Sequence, residues 1–89
     1  MKKDEDSMEY AQILAFKALE FLALDEDRFG RFLALSGATP ATITEQMREP
    51  VFLSGVLDYL LGDETLLFEF CEYAQIPATA PGAARRHFC

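Results

Sequence analysis

Residues 50–64 read PVFLSGVLDYLLGDE, and this stretch holds a whole helix together with its start and stop signals. Proline is favoured at the first helical position, because its fixed φ suits the helix and its missing N–H would have no partner there. Between the proline and the second glycine only Ser54 and Asp58 carry strongly polar side chains. A helix that is apolar on nearly every side is normally surrounded by other elements. Asp63 then caps the next helix, so the stretch predicts a central helix in a helical core.

Similar start and stop signals predict the other helices on both sides of this stretch. Ser7 and either Asp25 or Asp27 are typical N-caps, and Gly37 is a typical C-terminal glycine. A short third helix starts either at Pro40 or at a capping box. No segment combines strict alternation with strand-forming residues, so no sheet is expected. The predicted helices cover about residues 8–24, 25–36, 40 or 43 to 48, 50–61, 64–75 and 81–86.

The sequence also indicates an internal repeat. A shift of 38 positions aligns residues 19–22 with residues 57–60, and it aligns Phe32 with Phe70. The period lies near the roughly 34–47 residues of helical solenoid repeats, but an open solenoid needs about three copies. Two copies are therefore expected to fold onto each other. Chance similarity between amphipathic helices is the alternative explanation.

The fold prediction is one all-α domain over residues 1–89. We expect a compact bundle of five to six short helices, built from two similar three-helix units with solenoid-like or orthogonal packing. The first unit covers residues 8–48 and the second covers residues 49–86. Residues 1–7 are predicted to be a flexible N-terminus and residues 87–89 a frayed C-terminus.

Residues 24–37 read LDEDRFGRFLALSG and resemble a pattern, D-x-x-R-L-G-R-F-L-A-L-[ST]-G, of domain-of-unknown-function family 3572. Residues 49–64 are similar to the segment that follows this pattern in the family, and the resemblance covers about residues 16–77. Phe29 stands where leucine is usual, and neither Cys71 nor the C-terminal tail belongs to the pattern. The resemblance implies a small all-helical bacterial protein, mainly alphaproteobacterial, with no assigned activity.

Charge is distributed unevenly along the chain. The 89 residues include 15 acids and 8 Lys or Arg, for a net charge of −7, and no Lys or Arg lies between residues 49 and 84. An acidic surface repels phosphate backbones and attracts basic partners. We therefore predict a partner-binding face on the fifth helix for an unknown, basic protein, with plain solubility as the alternative. That face consists of Asp63, Glu64, Phe68, Glu69 and Glu72.

Two phenylalanines, Phe16 and Phe68, fall near polar faces of their predicted helices. Neighbouring helices are expected to cover them. If they are exposed instead, Phe68 is the candidate anchor of the acidic face. Gly30 lies inside the second helix, where glycine costs about 1 kcal/mol relative to alanine, and a close helix crossing would explain it.

The residues suited to catalysis or metal binding are few. His87 is the single histidine, and the two cysteines are Cys71 and Cys89. Their spacing matches no zinc pattern, and Glu69 with Glu72 is expected to be solvated rather than set in a cleft. We predict no catalytic residue, no cofactor and no metal, with both cysteines as free thiols.

The N-terminus does not resemble a signal peptide, because three acids at positions 4–6 follow the first two lysines and no apolar run comes next. No apolar run approaches the roughly 20 residues of a membrane span. We therefore expect a cytoplasmic protein without membrane contact.

Three functional hypotheses follow from these observations. The first is a small interaction or regulatory module without catalysis. The alternative is a small-ligand-binding protein or enzyme with a pocket between the two helical units, which requires a cavity with convergent polar groups. The third is association with nucleic acid through Arg28, Arg31 and Arg48. The net charge disfavours it, and it requires these arginines to cluster in the folded protein.

Overall fold

The computed structural model describes residues 7–88, and within that range it contains helices and no strand. The all-α prediction is confirmed. A 3₁₀ turn over Arg86–Phe88 follows the last α-helix. The α-helices are α1 (Met8–Ala23), α2 (Glu26–Ser36), α3 (Ile43–Gln46), α4 (Pro50–Leu61), α5 (Glu64–Ala74) and α6 (Ala80–Arg85).

Side chains predicted as caps fix the starts of α1, α2 and α5. The side-chain oxygens of Ser7, Asp25 and Asp63 accept hydrogen bonds from backbone N–H groups in the first turns of α1, α2 and α5, at 2.9–3.1 Å. These N–H groups have no partner within the helix, so each cap stabilises its helix. Gly37 ends α2 with a φ of 79°, a left-handed conformation that glycine adopts without strain.

The third helix is shorter than predicted. Thr42 does not cap α3 with its side chain, so the predicted capping box does not form. Instead the hydroxyl groups of Thr39 and Thr42 lie 3.2 Å apart, and each accepts a hydrogen bond from the other residue's backbone N–H. This turn holds residues 39–42, and α3 begins only at Ile43.

Helix α4 lies at the centre of the bundle and packs against α1, α2, α5 and α6. Val56, Leu57 and Leu60 have no exposed surface. The prediction of a surrounded helix is wrong at Val51, which is 82% exposed, whereas Phe52 and Leu53 in the same turn are buried. The radius of gyration is 12.4 Å, close to the roughly 12 Å expected for a compact chain of this length.

The two halves share some features but differ in their third helices. Leu22 and Leu60 are both buried, and so are Phe32 and Phe70, as the repeat alignment requires. However, α3 has no buried residue, whereas α6 packs against α1 and α4. The division into two three-helix units stays a prediction.

One expectation about an individual position is wrong. A Cβ atom placed on Gly30 would meet no atom within 4 Å, so no close helix crossing explains this glycine. Residues 87 and 88 belong to the 3₁₀ turn, and Phe88 packs against the core; the frayed C-terminus stays a prediction. The N-terminus that was predicted to be flexible lies outside the described residues, except for Ser7.

Candidate functional site

The predicted partner-binding face lies on α5 and its cap, and all five of its residues are exposed. At 100° per residue they spread around much of the helix and do not all form one line. Positions 64, 68 and 72 follow one another at intervals of four, so their side chains form one line. We call Glu64, Phe68 and Glu72 the α5 stripe.

Phe68 is 51% exposed, so the expectation that neighbouring helices cover it is wrong. Phe16 on α1 is also exposed, at 41%. On α5 the neighbouring Leu66 and Phe70 fill the core instead, because they lie on the opposite side of the helix. The α5 stripe therefore presents an aromatic ring between two carboxylates.

The other two residues of the predicted face have structural partners. The Asp63 carboxylate caps α5 by accepting a hydrogen bond from the Leu66 N–H. A carboxylate oxygen of Glu69 lies 3.9 Å from a guanidinium nitrogen of Arg28 on α2. Because no Lys or Arg lies between residues 49 and 84, the cation that pairs with Glu69 comes from the first half of the chain.

Arg28 has several contacts besides Glu69. One of its terminal nitrogens donates a hydrogen bond to the Phe21 carbonyl at 2.7 Å, and its guanidinium carbon lies 4.1 Å from the centre of the Phe21 ring. Arg28 and Arg31 line a depression of about 310 Å³ together with acidic side chains, and Arg48 does not line it. The three arginines thus do not form the basic cluster that nucleic-acid binding requires.

A larger concave surface lies between α2 and α4, and we call it the α2–α4 groove. Its volume is about 580 Å³, within the roughly 300–1,000 Å³ typical of binding pockets. The least exposed part of its lining is aromatic, with the Phe32 ring centre 5.8 Å from that of Phe52 and 5.2 Å from that of Tyr59. The lining residues are Phe32, Leu35, Ser36, Gln46, Glu49, Val51, Phe52, Gly55, Asp58 and Tyr59.

Apolar side chains and carboxylates border this groove. Leu35 is 76% exposed and Val51 is 82% exposed. The lining also contains Glu49 and Asp58, and one Asp58 oxygen accepts a hydrogen bond of 2.7 Å from Arg85. The groove joins residues of the first and second predicted units, which is where the ligand-binding alternative expected a pocket. The groove could not be seen in the sequence, because a helix as apolar as α4 is normally surrounded, and Val51 was expected to be covered with the rest of it.

The described residues offer little for metal binding or nucleophilic catalysis. No group of three His, Cys, Asp or Glu side chains within residues 7–88 is placed to hold a metal ion. Cys71 is a free thiol, and burial raises its pKa, which disfavours the nucleophilic thiolate. Cys89, the other predicted free thiol, lies outside the described residues.

Of the helices in residues 7–88, none has both the length and the apolar character needed to cross a bilayer.

Comparison with known proteins gives one match. No curated protein and no solved structure matches the chain. A family model described as "Protein of unknown function (DUF3572)" matches residues 8–89. This match covers the glycine-containing motif of α2 as well as α4 and α5, and it extends the resemblance seen in the sequence to both ends of the described bundle. The chain therefore belongs to the DUF3572 family.

Proposed function

We propose that this protein is a cytoplasmic interaction module without catalysis, and that it binds a basic protein partner through the α5 stripe. The observation that supports the proposal is the 51% exposure of Phe68 between Glu64 and Glu72. Neither of these glutamates takes part in an ion pair within residues 7–88. Their charges are therefore available to a partner.

The two kinds of side chain in the stripe serve different steps of binding. Exposed carboxylates attract a basic partner over a distance and raise the association rate, but rim charges add little to the final affinity. An aromatic side chain that becomes buried on binding contributes apolar area and slows dissociation. Phe68 is therefore the proposed anchor, and Glu64 and Glu72 provide the electrostatic attraction.

The absence of catalysis is proposed from the chemistry of the described side chains. A nucleophile needs an adjacent base. Cys71 is buried with a raised pKa, and the single histidine lies in the terminal 3₁₀ turn. The acidic residues of the α5 stripe are exposed, and a carboxylate in water lacks the desolvation that tunes a general acid or base.

The test is quantitative capture of binding proteins from a lysate of the native cell. The bait variants are Glu64→Lys/Glu72→Lys and Phe68→Ala. Matched controls are Glu9→Lys/Glu26→Lys, which makes the same charge change at exposed first-turn positions of α1 and α2, and Phe16→Ala, which removes another exposed phenylalanine. Circular dichroism first shows that every bait is folded.

The proposal predicts a basic protein that wild type and both controls capture and that both stripe variants lose. Increasing salt should reduce capture, because the attraction is screened. Equal capture by all five baits, or loss with the controls as well, would mean that the α5 stripe is only a solvated surface.

A further inference from the structure

We propose that the α2–α4 groove is a second binding site, separate from the α5 stripe, and that it takes an amphipathic helix of a protein partner. The helix would place large apolar side chains in the groove and Lys or Arg side chains along its edges. No residue is shared between the two surfaces, so this inference does not depend on the proposed function.

The apolar character of the groove supports an apolar occupant. Phe32, Phe52 and Tyr59 pack edge to face at its bottom. Leu35 and Val51 at its sides are the two most exposed of the large apolar side chains in the described part of the chain. Contiguous exposed apolar surface around a concave site is typical of a binding site. An occupant that covers both side chains removes this surface from water.

The length of the groove fits a helix. Val51 and Tyr59 are both in α4 and line the groove, so it extends about 12 Å along that helix at 1.5 Å per residue. Amphipathic helices bind grooves through residues at positions i, i+3 or i+4, and i+7, which span about 10.5 Å. Two turns of a partner helix therefore match the lined length.

The charge of the lining determines the polar chemistry of the occupant. Glu49 and Asp58 line the groove, and no Lys or Arg does so. Glu49 lies just before α4 and Asp58 lies in its last turns, so the two carboxylates are near opposite ends of the groove. Arg85 bonds to one oxygen of Asp58, and the net charge of the chain is −7. Because Arg85 already balances the charge of Asp58, Glu49 carries the unpaired negative charge of the lining, and complementarity favours a helix with a basic side chain near that end.

Gly55 allows a test that does not disturb the core. It lines the groove, and a Cβ atom at this position would meet nothing within 4 Å. Gly55→Leu fills the groove and also raises the helix propensity of α4. Gly30→Leu is the matched control, because Gly30 is also a helical glycine with free space around it but lies outside the groove.

The probes are a panel of synthetic 14-residue peptides with Leu at i, i+4 and i+7, Lys at flanking positions and one Trp. Because the protein contains no Trp, the peptide's own fluorescence reports binding. A second panel replaces every Lys by Glu. Dodecylamine serves as a small amphiphilic probe. Circular dichroism and urea unfolding show that both leucine variants are folded.

We expect the basic peptides to bind wild type and Gly30→Leu with the same affinity. Gly55→Leu should weaken their binding at least tenfold. The Glu peptides should bind wild type at least tenfold more weakly than the basic peptides do. Equal binding to wild type and Gly55→Leu would overturn the inference. So would no detectable binding by any basic peptide at about 1 mM. If dodecylamine alone binds and Gly55→Leu abolishes its binding, the groove is a small-ligand pocket and the inference is wrong.

Discussion

Replacement of Phe70 by alanine tests the packing of the core against a control in the same helix. Phe70 has no exposed surface, and its ring centre lies 5.6 Å from that of Phe21. Phe68, two residues earlier in α5, is 51% exposed. Phe70→Ala and Phe68→Ala therefore remove the same atoms from the same helix in opposite environments.

The expected magnitudes differ strongly between the two variants. Truncation of a buried phenylalanine costs about 3–5 kcal/mol, and the aromatic contact adds to the loss. A chain of 89 residues is stable by only about 4–13 kcal/mol, so Phe70→Ala should remove a large part of the free energy of unfolding. Phe68→Ala should change it by less than about 1 kcal/mol, because the side chain is exposed.

Urea unfolding followed by circular dichroism measures both values. With a slope of roughly 1–1.5 kcal/mol per M, a loss of 3 kcal/mol lowers the midpoint by about 2–3 M. Phe70→Leu retains most of the apolar volume and gives a measurable midpoint if the alanine variant does not fold. Equal midpoints for Phe70→Ala and Phe68→Ala would refute the buried and exposed assignments on α5.

Three smaller changes test individual positions. Gly30→Ala should raise the free energy of unfolding by about 0.5–1 kcal/mol, since the added methyl group meets no atom; destabilisation in a urea titration would show that a neighbour approaches this glycine. Asp63→Ala should lower it by about 1 kcal/mol through loss of the α5 cap, and an unchanged thermal midpoint would contradict that role. Cys71 should react with a thiol reagent only on unfolding. Burial raises the folded-state pKa of this thiol above its ordinary value of 9.0. The free energy of unfolding should therefore fall as pH rises through 9.0, because the unfolded chain loses this proton first. The same pH dependence of stability in wild type and in Cys71→Ala would contradict the assignment.

The helix ends could be predicted from the sequence because their causes are local. A cap such as Asp25 bonds to N–H groups two and three residues later, and Pro50 limits its own backbone, so short stretches of sequence contain the information. The exception, α3, is instructive. Two threonines bond to each other instead of capping the helix, and the sequence does not show which of two local hydrogen-bond patterns is more stable.

Features that depend on packing between helices could not be predicted in the same way. Arg28 meets Glu69 because α2 and α5 are brought together, although the two residues are far apart in the sequence. Phe68 lies on the side of α5 opposite Leu66 and Phe70, and only the positions of the neighbouring helices decide whether that side is covered. The α2–α4 groove likewise results from the way α2 packs on α4, which exposes Leu35 and Val51.

Cross-linking inside the native cell shows directly whether a basic partner contacts the α5 stripe. A photoreactive benzoylphenylalanine replaces the residue at position 68 in one version and at position 16 in a control, where the native phenylalanine is also exposed. We expect position 68 to form a covalent adduct with a basic protein and position 16 to form none. We also expect Glu64→Lys/Glu72→Lys to abolish the adduct. The same adducts from both positions, or none from position 68, would contradict the proposed contact.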